Sequence, residues 1–271
     1  MANRQSIITL LTDFGTQDYF VGAMKGAILS LNPVAQIVDL THEIPPQDIH
    51  AAAFNLLATY KDFPIGTINV AVVDPGVGSN RKAILIECAE RFFVGPDNGI
   101  FSWVCEREGN FRAFRITNEK FFRQPVSTTF HGRDVFAPVA AALSTGTASD
   151  QLGVEITDIV ELESLQPKTT GDGRCEGRVL HIDRFGNCIT NFTRDHLRAD
   201  TPNPRAKVIV NDREIASFRN FFAEAAGFKN ELFCVLGSAG FLEIAAQNSS
   251  AAAILNAGPG DAVVLVLDRR N

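Results

Sequence analysis

The hydrophobic positions of this chain follow two regimes. In the first half, short apolar runs alternate with stretches whose apolar residues recur at helical spacing: Ile7 to Leu11, then Tyr19 to Leu31, Ile37 to Leu40, Ile49 to Tyr60 and Ile68 to Val73. Strands alternating with helices predict βαβ units, and hence a largely parallel sheet flanked by helices. Asn32-Pro33 ends the first helix, because proline has no amide hydrogen to continue it and restrains the residue before it. Ile84 to Cys88 and Phe92 to Val94 read as a hairpin, and the alanine-rich Val135 to Leu143 as a buried helix.

Between Leu162 and Arg174 the pattern breaks. Gln166 to Gly173 is polar and marked by Gly and Pro, as segments that join domains are. Beyond it come strand-length segments at Gly177 to Ile182, Ala206 to Val210, Leu232 to Leu236, Leu242 to Ala246 and Ala262 to Leu267, with turns at Asn211-Asp212 and Gly258-Pro-Gly260. The expectation is an α/β N-terminal domain over residues 1–168, a linker over 169–173, and a smaller all-β domain, sandwich or barrel, over 174–271. Ala51 to Ala53 and Ala251 to Ala253 are ordinary helix segments.

Composition narrows the function. Two domains of this kind suit 271 residues, and 45% hydrophobic content is too high for a disordered chain. Thirty-one acidic residues against 25 basic leave a formal charge of −6, opposite to the field that a nucleic-acid backbone requires, so no nucleic-acid partner is expected. Cys88, Cys105, Cys175, Cys188 and Cys234 are odd in number, widely spaced and without a CxxC pair, which predicts free thiols in a reducing compartment rather than a disulfide or zinc framework. No apolar stretch reaches membrane-span length, and the N-terminal run lacks the features of a signal peptide, so the expected location is the cytoplasm, away from membranes.

Candidate chemistry lies at the ends of the apolar runs. Thr12 to Asp18 follows the first strand, and Asp13 and Asp18 there either hold a hydrogen-bonding ligand such as a ribose or cap the next helix. Val73 to Arg81 follows another strand. Its glycines permit close approach of a ligand, and Asp74 and Arg81 are spaced to meet across the loop, but it is neither a Walker A loop nor a dinucleotide fingerprint. His131, beside Gly132 at what reads as a strand-to-helix junction, has a side chain suited to proton transfer, while Arg133 and Asp134 read as an ion pair or caps.

In the second domain, Asp183, Phe185 and Asn187 supply a carboxylate, a stacking face and an amide able to read a purine; a β-turn explains the same residues. Gly237 to Ala245, with Ser238 and Glu243, fits either a ligand-contacting turn or a hairpin corner. Asp39 to His50 holds two histidines and several carboxylates. Its spacing matches no zinc or calcium template, and Pro45-Pro46 makes it a rigid loop, so no metal is expected.

Taken in order, Thr12-Asp13-Phe14-Gly15, Thr41-His42-Glu43 with Gln47-Asp48, Val73-Asp74-Pro75-Gly76-Val77-Gly78, Phe130-His131-Gly132-Arg133-Asp134, Asp183-Arg184-Phe185-Gly186-Asn187 and Ser238 through Ala245 resemble one family, the S-adenosyl-L-methionine (SAM) hydroxide adenosyltransferases, hydrolytic relatives of the fluorinase and chlorinase. The resemblance runs from about Ile8 to Val266. It implies an α/β N-terminal domain, a β-barrel-like C-terminal domain, and a homotrimer whose sites lie between the N-terminal domain of one subunit and the C-terminal domain of the next. The implied reaction is attack of water or hydroxide on the ribose C5′ of SAM, releasing adenosine and L-methionine, with SAM as substrate and neither cofactor nor metal.

By the same resemblance, Asp74, Arg81 and His131 hold and activate the water. Asp13 binds the ribose hydroxyls with Asp18 nearby, Asp183 and Asn187 address the methionine moiety and adenine, Phe185 stacks, and Ser238 and Glu243 surround the methionine. The halogenating relatives carry arginine directly after the serine, where this chain has Ala239, so their carboxylate contacts do not transfer. Three alternatives stand beside the hydrolase. A 5′-halogenase would face repulsion of its halide by Asp74. A non-catalytic SAM or adenosine sensor would not need His131. A purely structural trimer would require every polar cluster to be turn chemistry.

Overall fold

The computed structural model describes residues 6–170, 173–197, 206–224 and 228–267. The chain divides into two compact units, Met1–Ser164 and Leu165–Asn271.

The first unit is built as the alternating pattern predicts. Its elements are β1 (Ile7–Thr12), α1 (Phe20–Leu31), β2 (Gln36–Thr41), α2 (Ile49–Thr59), β3 (Ile68–Val72), β4 (Ala83–Cys88), β5 (Arg91–Pro96), α3 (Ser102–Glu108), β6 (Phe111–Ile116), α4 (Ala137–Ser144), α5 (Ser149–Leu152) and β7 (Gly153–Ile156). The strands form one sheet in the order β2-β1-β3-β5-β4-β6-β7. β2, β1, β3 and β5 are mutually parallel, and β4 runs antiparallel to β5 as the hairpin reading requires.

β1 and β3 are largely apolar because both of their faces are covered, and the buried polar side chains that interrupt them satisfy each other, Thr9 Oγ1 donating to Asn69 Oδ1 at 2.9 Å. Ile8, Leu10, Leu11, Val70 and Ala71 are all essentially inaccessible, and each buried Leu or Ile contributes about 1.5–3 kcal/mol relative to exposure. α1 and α4 cover one face, with Met24, Ile28, Phe136 and Val139 packed in the same cluster as Ile8, Leu10 and Val70. From β1 the chain moves outward to β2 and then returns across β1 to β3. The strand order therefore reverses between β1 and β3, the kind of switch point beside whose strand carboxyl ends open α/β sheets bind ligands.

The second unit contains β8 (Lys168–Thr169), β9 (Arg174–Ile182), β10 (Cys188–Thr193), α6 (Arg194–Leu197), β11 (Lys207–Val210), β12 (Arg213–Ile215), β13 (Phe218–Arg219), β14 (Leu232–Leu236), β15 (Phe241–Ala246), α7 (Ala251–Leu255) and β16 (Ala262–Val266). They curl in the order β12-β11-β16-β9-β10-β15-β14-β13, with β8 on the edge of β9, giving the strand-rich, barrel-like unit. Strand alternation sorts its side chains. Cys188, Cys234, Leu242 and Ile244 fill the main core, whereas Phe233, Val235 and Ala245 form a small separate cluster. Glu243 shares the face of Phe233, Val235 and Ala245. The turns expected at Asn211-Asp212 and at Gly258 to Gly260 are present, both Asn211 and Asp212 having positive φ.

Candidate active site

In the first unit the candidate residues gather where the strand order reverses. β3 delivers Val73 and Asp74 to the rim, and the loop after them folds back through turns closed by the Val77 amide on the Asp74 carbonyl (3.2 Å) and the Ser79 amide on the Gly76 carbonyl (3.1 Å). The fold-back brings Arg81 to Asp74. Arg81 Nε donates to Asp74 Oδ1 and Oδ2 at 2.9 and 3.1 Å, and Nη2 donates to Oδ2 as well. Both side chains are largely buried, and the guanidinium carbon lies 5.2 Å from the centroid of the Phe136 ring.

Gly78 makes the loop possible. Its φ is +77°, and a Cβ there would stand 2.3 Å from the Thr128 carbonyl oxygen. Behind the loop, Asn98 Nδ2 donates to the Val73 carbonyl at 2.7 Å and so fixes the residue preceding Asp74. Asn98 escaped the sequence reading; its signal was the turn tetrapeptide Pro96-Asp97-Asn98-Gly99 at the end of an apolar strand.

His131 completes the cluster: Arg81 Nη2 lies 2.8 Å from its Nδ1. The histidine is not at a strand-to-helix junction as its surroundings suggested. A long loop precedes it, and a π-helical turn over Gly132–Phe136 follows before α4 begins. Such wide turns recur at functional sites because they re-aim a side chain. Arg133 and Asp134 form the expected ion pair, with Arg133 Nε donating to Asp134 Oδ1 at 2.7 Å, and Asp134 Oδ2 accepts the Ser127 amide at 2.9 Å, which ties the loop to the turn. Burial, reinforced by the Arg81 charge, holds the His131 pKa below the ordinary histidine value.

Asp13 and Asp18 do not cap α1. The residue before that helix is Tyr19, which offers no side-chain cap, while Asp13 Oδ2 accepts the amide of Gln47 at 2.8 Å. Asp18 is exposed and makes no side-chain hydrogen bond among the described residues. Asp13 thus stands one residue beyond β1 and Asp74 two beyond β3, one position apart in register on neighbouring parallel strands.

The second unit gathers the other candidates. Asp183, Phe185, Asn187, Ser238 and Glu243 all line one cavity of about 890 Å³. Asp183 forms the turn that its sequence allows, at the wall of that cavity. Its Oδ1 accepts the Phe185 and Asn187 amides at 2.9 and 2.8 Å, and its Oδ2 accepts Asn187 Nδ2 at 2.8 Å, so the aspartate organises the turn that presents the other two residues. Phe185 is 78% exposed, far from the norm for an aromatic side chain without a partner. Ser238 sits on the β14–β15 hairpin turn, closed by the Gly237 amide on the Phe241 carbonyl at 2.9 Å. Glu243 projects beside Gly237; burial, with Asp183 adding repulsion, pushes its carboxyl up to about 7.

Phe221 and Phe222 on the cavity wall were missed from sequence, as was Arg219 behind it. Arg219 is 5% exposed, stacks 4.0 Å from the Phe233 ring, and pairs with Glu231 Oε2 at 3.1 Å and Gln247 Oε1 at 2.9 Å. Arg219-Asn-Phe-Phe222 carries no motif, but two adjacent phenylalanines after a short strand were a readable sign of an unfilled apolar surface.

Among the described residues no three or more histidine, cysteine or carboxylate side chains gather as they would around a metal ion, and no helix is long and apolar enough to cross a membrane. All five cysteines are buried and unpaired.

These two clusters lie inside two matched sequence spans. The family model for the SAM hydroxide adenosyltransferase N-terminal domain matches residues 8–153, and that for the C-terminal domain matches residues 177–264. The chain belongs to the SAM hydroxide adenosyltransferase family. An (R)-S-adenosyl-L-methionine hydrolase of Methanocaldococcus jannaschii is 38% identical over 96% of this chain and 95% of its own length. A fluorinase of Actinoplanes sp. is more distant, 27% identical over 72% of this chain and 74% of its own. A crystal structure of an uncharacterised conserved protein from Thermotoga maritima superposes with a TM-score of 0.88 at 35% identity, covering 96% of this chain and all of that one. The first cluster falls wholly in the N-terminal span of the family and the second wholly in the C-terminal span.

Proposed function

We propose that this protein hydrolyses S-adenosyl-L-methionine to adenosine and L-methionine. The observation that carries the reading is the Asp74–Arg81–His131 network at the strand-order switch, in a family whose relatives include a named SAM hydrolase.

The chemistry balances without a general acid. The water oxygen forms a bond to C5′, the C5′–S bond breaks with its electron pair passing to sulfur, and the sulfonium leaves as a neutral thioether. One proton is released per SAM consumed. What the protein must supply is alignment and a proton acceptor, since water is a weak nucleophile.

The hydrogen-bond directions divide those tasks. Arginine has donors only, so His131 Nδ1 accepts from Arg81, and the neutral imidazole carries its proton on Nε2. A second proton on Nδ1 would face the guanidinium. His131 therefore donates through Nε2 to orient the water, and Asp74, the anion of the group, takes the proton as the C–O bond forms. Arg81 holds both in place. Asp13 receives the ribose hydroxyls with Asp18 beside it, while Phe185 and Asn187 take the adenine and Asp183, Ser238 and Glu243 surround the methionine moiety. The two half-sites meet in a homotrimer, each active site drawing one cluster from each of two subunits, and no cofactor or metal takes part. The place of work is the cytoplasm.

Incubation with SAM in chloride-free buffer, and again with added chloride or fluoride, tests the reaction by chromatography with mass detection. Adenosine and methionine in both, with one proton released per turnover, are expected. A 5′-halo-adenosine would make the protein a halogenase, and SAM retained intact would make it a sensor. For the assembly, mixing inactive Asp74→Ala and Asn187→Ala proteins should restore activity once subunits exchange; no recovery after verified exchange would leave each site within one chain.

A further inference from the structure

The loops that follow β1 and β2 are fastened to each other through one buried histidine. His42 is 4% exposed, and its Nδ1 lies 2.8 Å from Thr12 Oγ1. Its own carbonyl accepts the Gly15 amide at 2.8 Å. On the other side of the ring, Nε2 lies 3.1 Å from Asp39 Oδ1, and Asp39 Oδ2 accepts from Lys25 Nζ at 2.6 Å. Two further bonds join the same loops: the Gln47 amide to Asp13 Oδ2 at 2.8 Å, and the Thr16 hydroxyl to Glu43 Oε1 at 3.3 Å.

Asp39 Oδ1 lies within ion-pair distance of Nε2, although the pair lacks hydrogen-bond geometry, and its negative charge favours the tautomer with the imidazole proton on Nε2. Nδ1 then accepts the Thr12 hydroxyl hydrogen. The Thr12 oxygen is then free to accept the Phe14 amide, which it does at 3.3 Å. The residues on both sides of Asp13 are thereby pinned, from Thr12 directly and from Gly15 through the His42 backbone. Gln47, which holds Asp13 Oδ2, itself has φ +68°, a conformation few non-glycine residues adopt without support. Asp13 Oδ1 makes no hydrogen bond among the described residues, so it is the oxygen left for a ligand.

We propose that His42 is a positioning residue: by tying Thr12 and Gly15 to the β2 loop it sets the Asp13 carboxylate in the orientation that receives the ribose hydroxyls. It touches no reacting atom. The inference rests on the reading of Asp13 as the ribose ligand, and it gives the Asp39-to-His50 stretch a task that neither a metal nor mere rigidity supplies.

Calorimetric binding of adenosine and of methionine tests it in wild type, Asp13→Ala, His42→Ala, His42→Asn, Thr12→Val and the Asp13→Ala/His42→Ala double variant. His42→Ala should bind adenosine about tenfold more weakly, the scale of a displaced hydrogen-bond partner, with methionine affinity unchanged. His42→Asn should recover most of the loss, because its amide oxygen can accept where Nδ1 does. Adding His42→Ala to Asp13→Ala should cost nothing further. Thr12→Val breaks the same bond from the other end with little change of shape, and carries the test if His42→Ala does not fold.

Wild-type adenosine affinity in both His42→Ala and Thr12→Val, alongside a loss in Asp13→Ala, would overturn the proposal and leave the ribose reading standing. Equal losses for adenosine and methionine would overturn it in favour of a purely structural histidine. Wild-type adenosine affinity in Asp13→Ala would overturn the ribose reading itself, and the proposal with it.

Discussion

Arg81 Nη2 stands 2.8 Å from His131 Nδ1, and the direction of that bond determines what the imidazole does. With an obligate donor on Nδ1, the proposed mechanism needs His131 neutral, and burial together with the Arg81 charge holds its pKa below the ordinary histidine value. The rate should accordingly be flat through neutral pH and fall on acidification, with its acid limb lying below about 6.5. The sign for stability agrees. A folded-state pKa depressed below the unfolded one contributes stability at neutral pH that is lost as the pH drops through the folded value. A kcat profile from pH 4.5 to 8 checks this; a rate that instead falls as the pH rises through neutrality would make the imidazolium the working form. His131→Gln should lack the limb altogether.

Gly78 links the backbone to that same cluster. A side chain there meets both an unfavourable positive φ and the Thr128 carbonyl at 2.3 Å, and the obstacle is backbone that cannot swing aside. Gly78→Ala should destabilise the protein by about 2 kcal/mol or more and lower kcat beyond what unfolding explains, because the displaced loop carries Asp74 and Arg81. Thermal unfolding and rate measurements on the same preparation separate the two effects. Gly109→Ala, also at positive φ but with nothing near its Cβ, is the comparison that isolates the steric part.

What could be read from sequence and what could not divide along a physical line. β1 and β3 were legible because strands buried on both faces are predominantly apolar runs, and Asp74 with Arg81 because the six residues of glycine-rich loop between them leave them few other places to go. The His131 contact to Arg81 spans 50 residues and depends on a π-helical turn that no local propensity announces. Asp13 was open between a cap and a ligand because its partner, the Gln47 amide, is reached only through the pairing of β1 with β2. Asp183, Phe185 and Asn187 were visible as one turn, whereas Phe221 and Phe222 reach the same cavity only through the order in which β13, β14 and β15 assemble.

Glu243 is a carboxyl raised to about 7 by burial and by Asp183, with no ion pair to a cation among the described residues. Such a group is neutral in the fold at pH 5 and ionises, at a cost, as the pH rises through 7. Its contribution to stability is therefore lost on the alkaline side, the reverse of His131. Glu243→Gln should stabilise the protein by roughly 1–2 kcal/mol at pH 8.5 and by little at pH 5. If the cavity receives the cationic half of SAM, the ionised form is also the one that binds it, so SAM affinity should improve as the pH passes 7 in wild type and lose that dependence in Glu243→Gln. Denaturant unfolding at the two pH values and binding across pH 6–8.5 check both; a stability gain equal at pH 5 and 8.5 would show that the carboxyl does not titrate in this range.

Phe185 is the sharpest separation of binding from folding that the molecule offers. At 78% exposure its ring buries little in the described structure, so Phe185→Ala should change stability by no more than about 0.5 kcal/mol. On the proposed function, this exposed ring, lining the same cavity as Asn187, stacks on the planar adenine. Stacking on an aromatic ring is worth about 1–3 kcal/mol per base. Adenosine affinity should then fall about tenfold to a hundredfold in Phe185→Ala and recover in Phe185→Tyr, while methionine affinity stays put. Unchanged adenosine binding in the alanine variant would assign the purine to Phe221 or Phe222, which line the same cavity, and Phe221→Ala and Phe222→Ala would then show the loss instead.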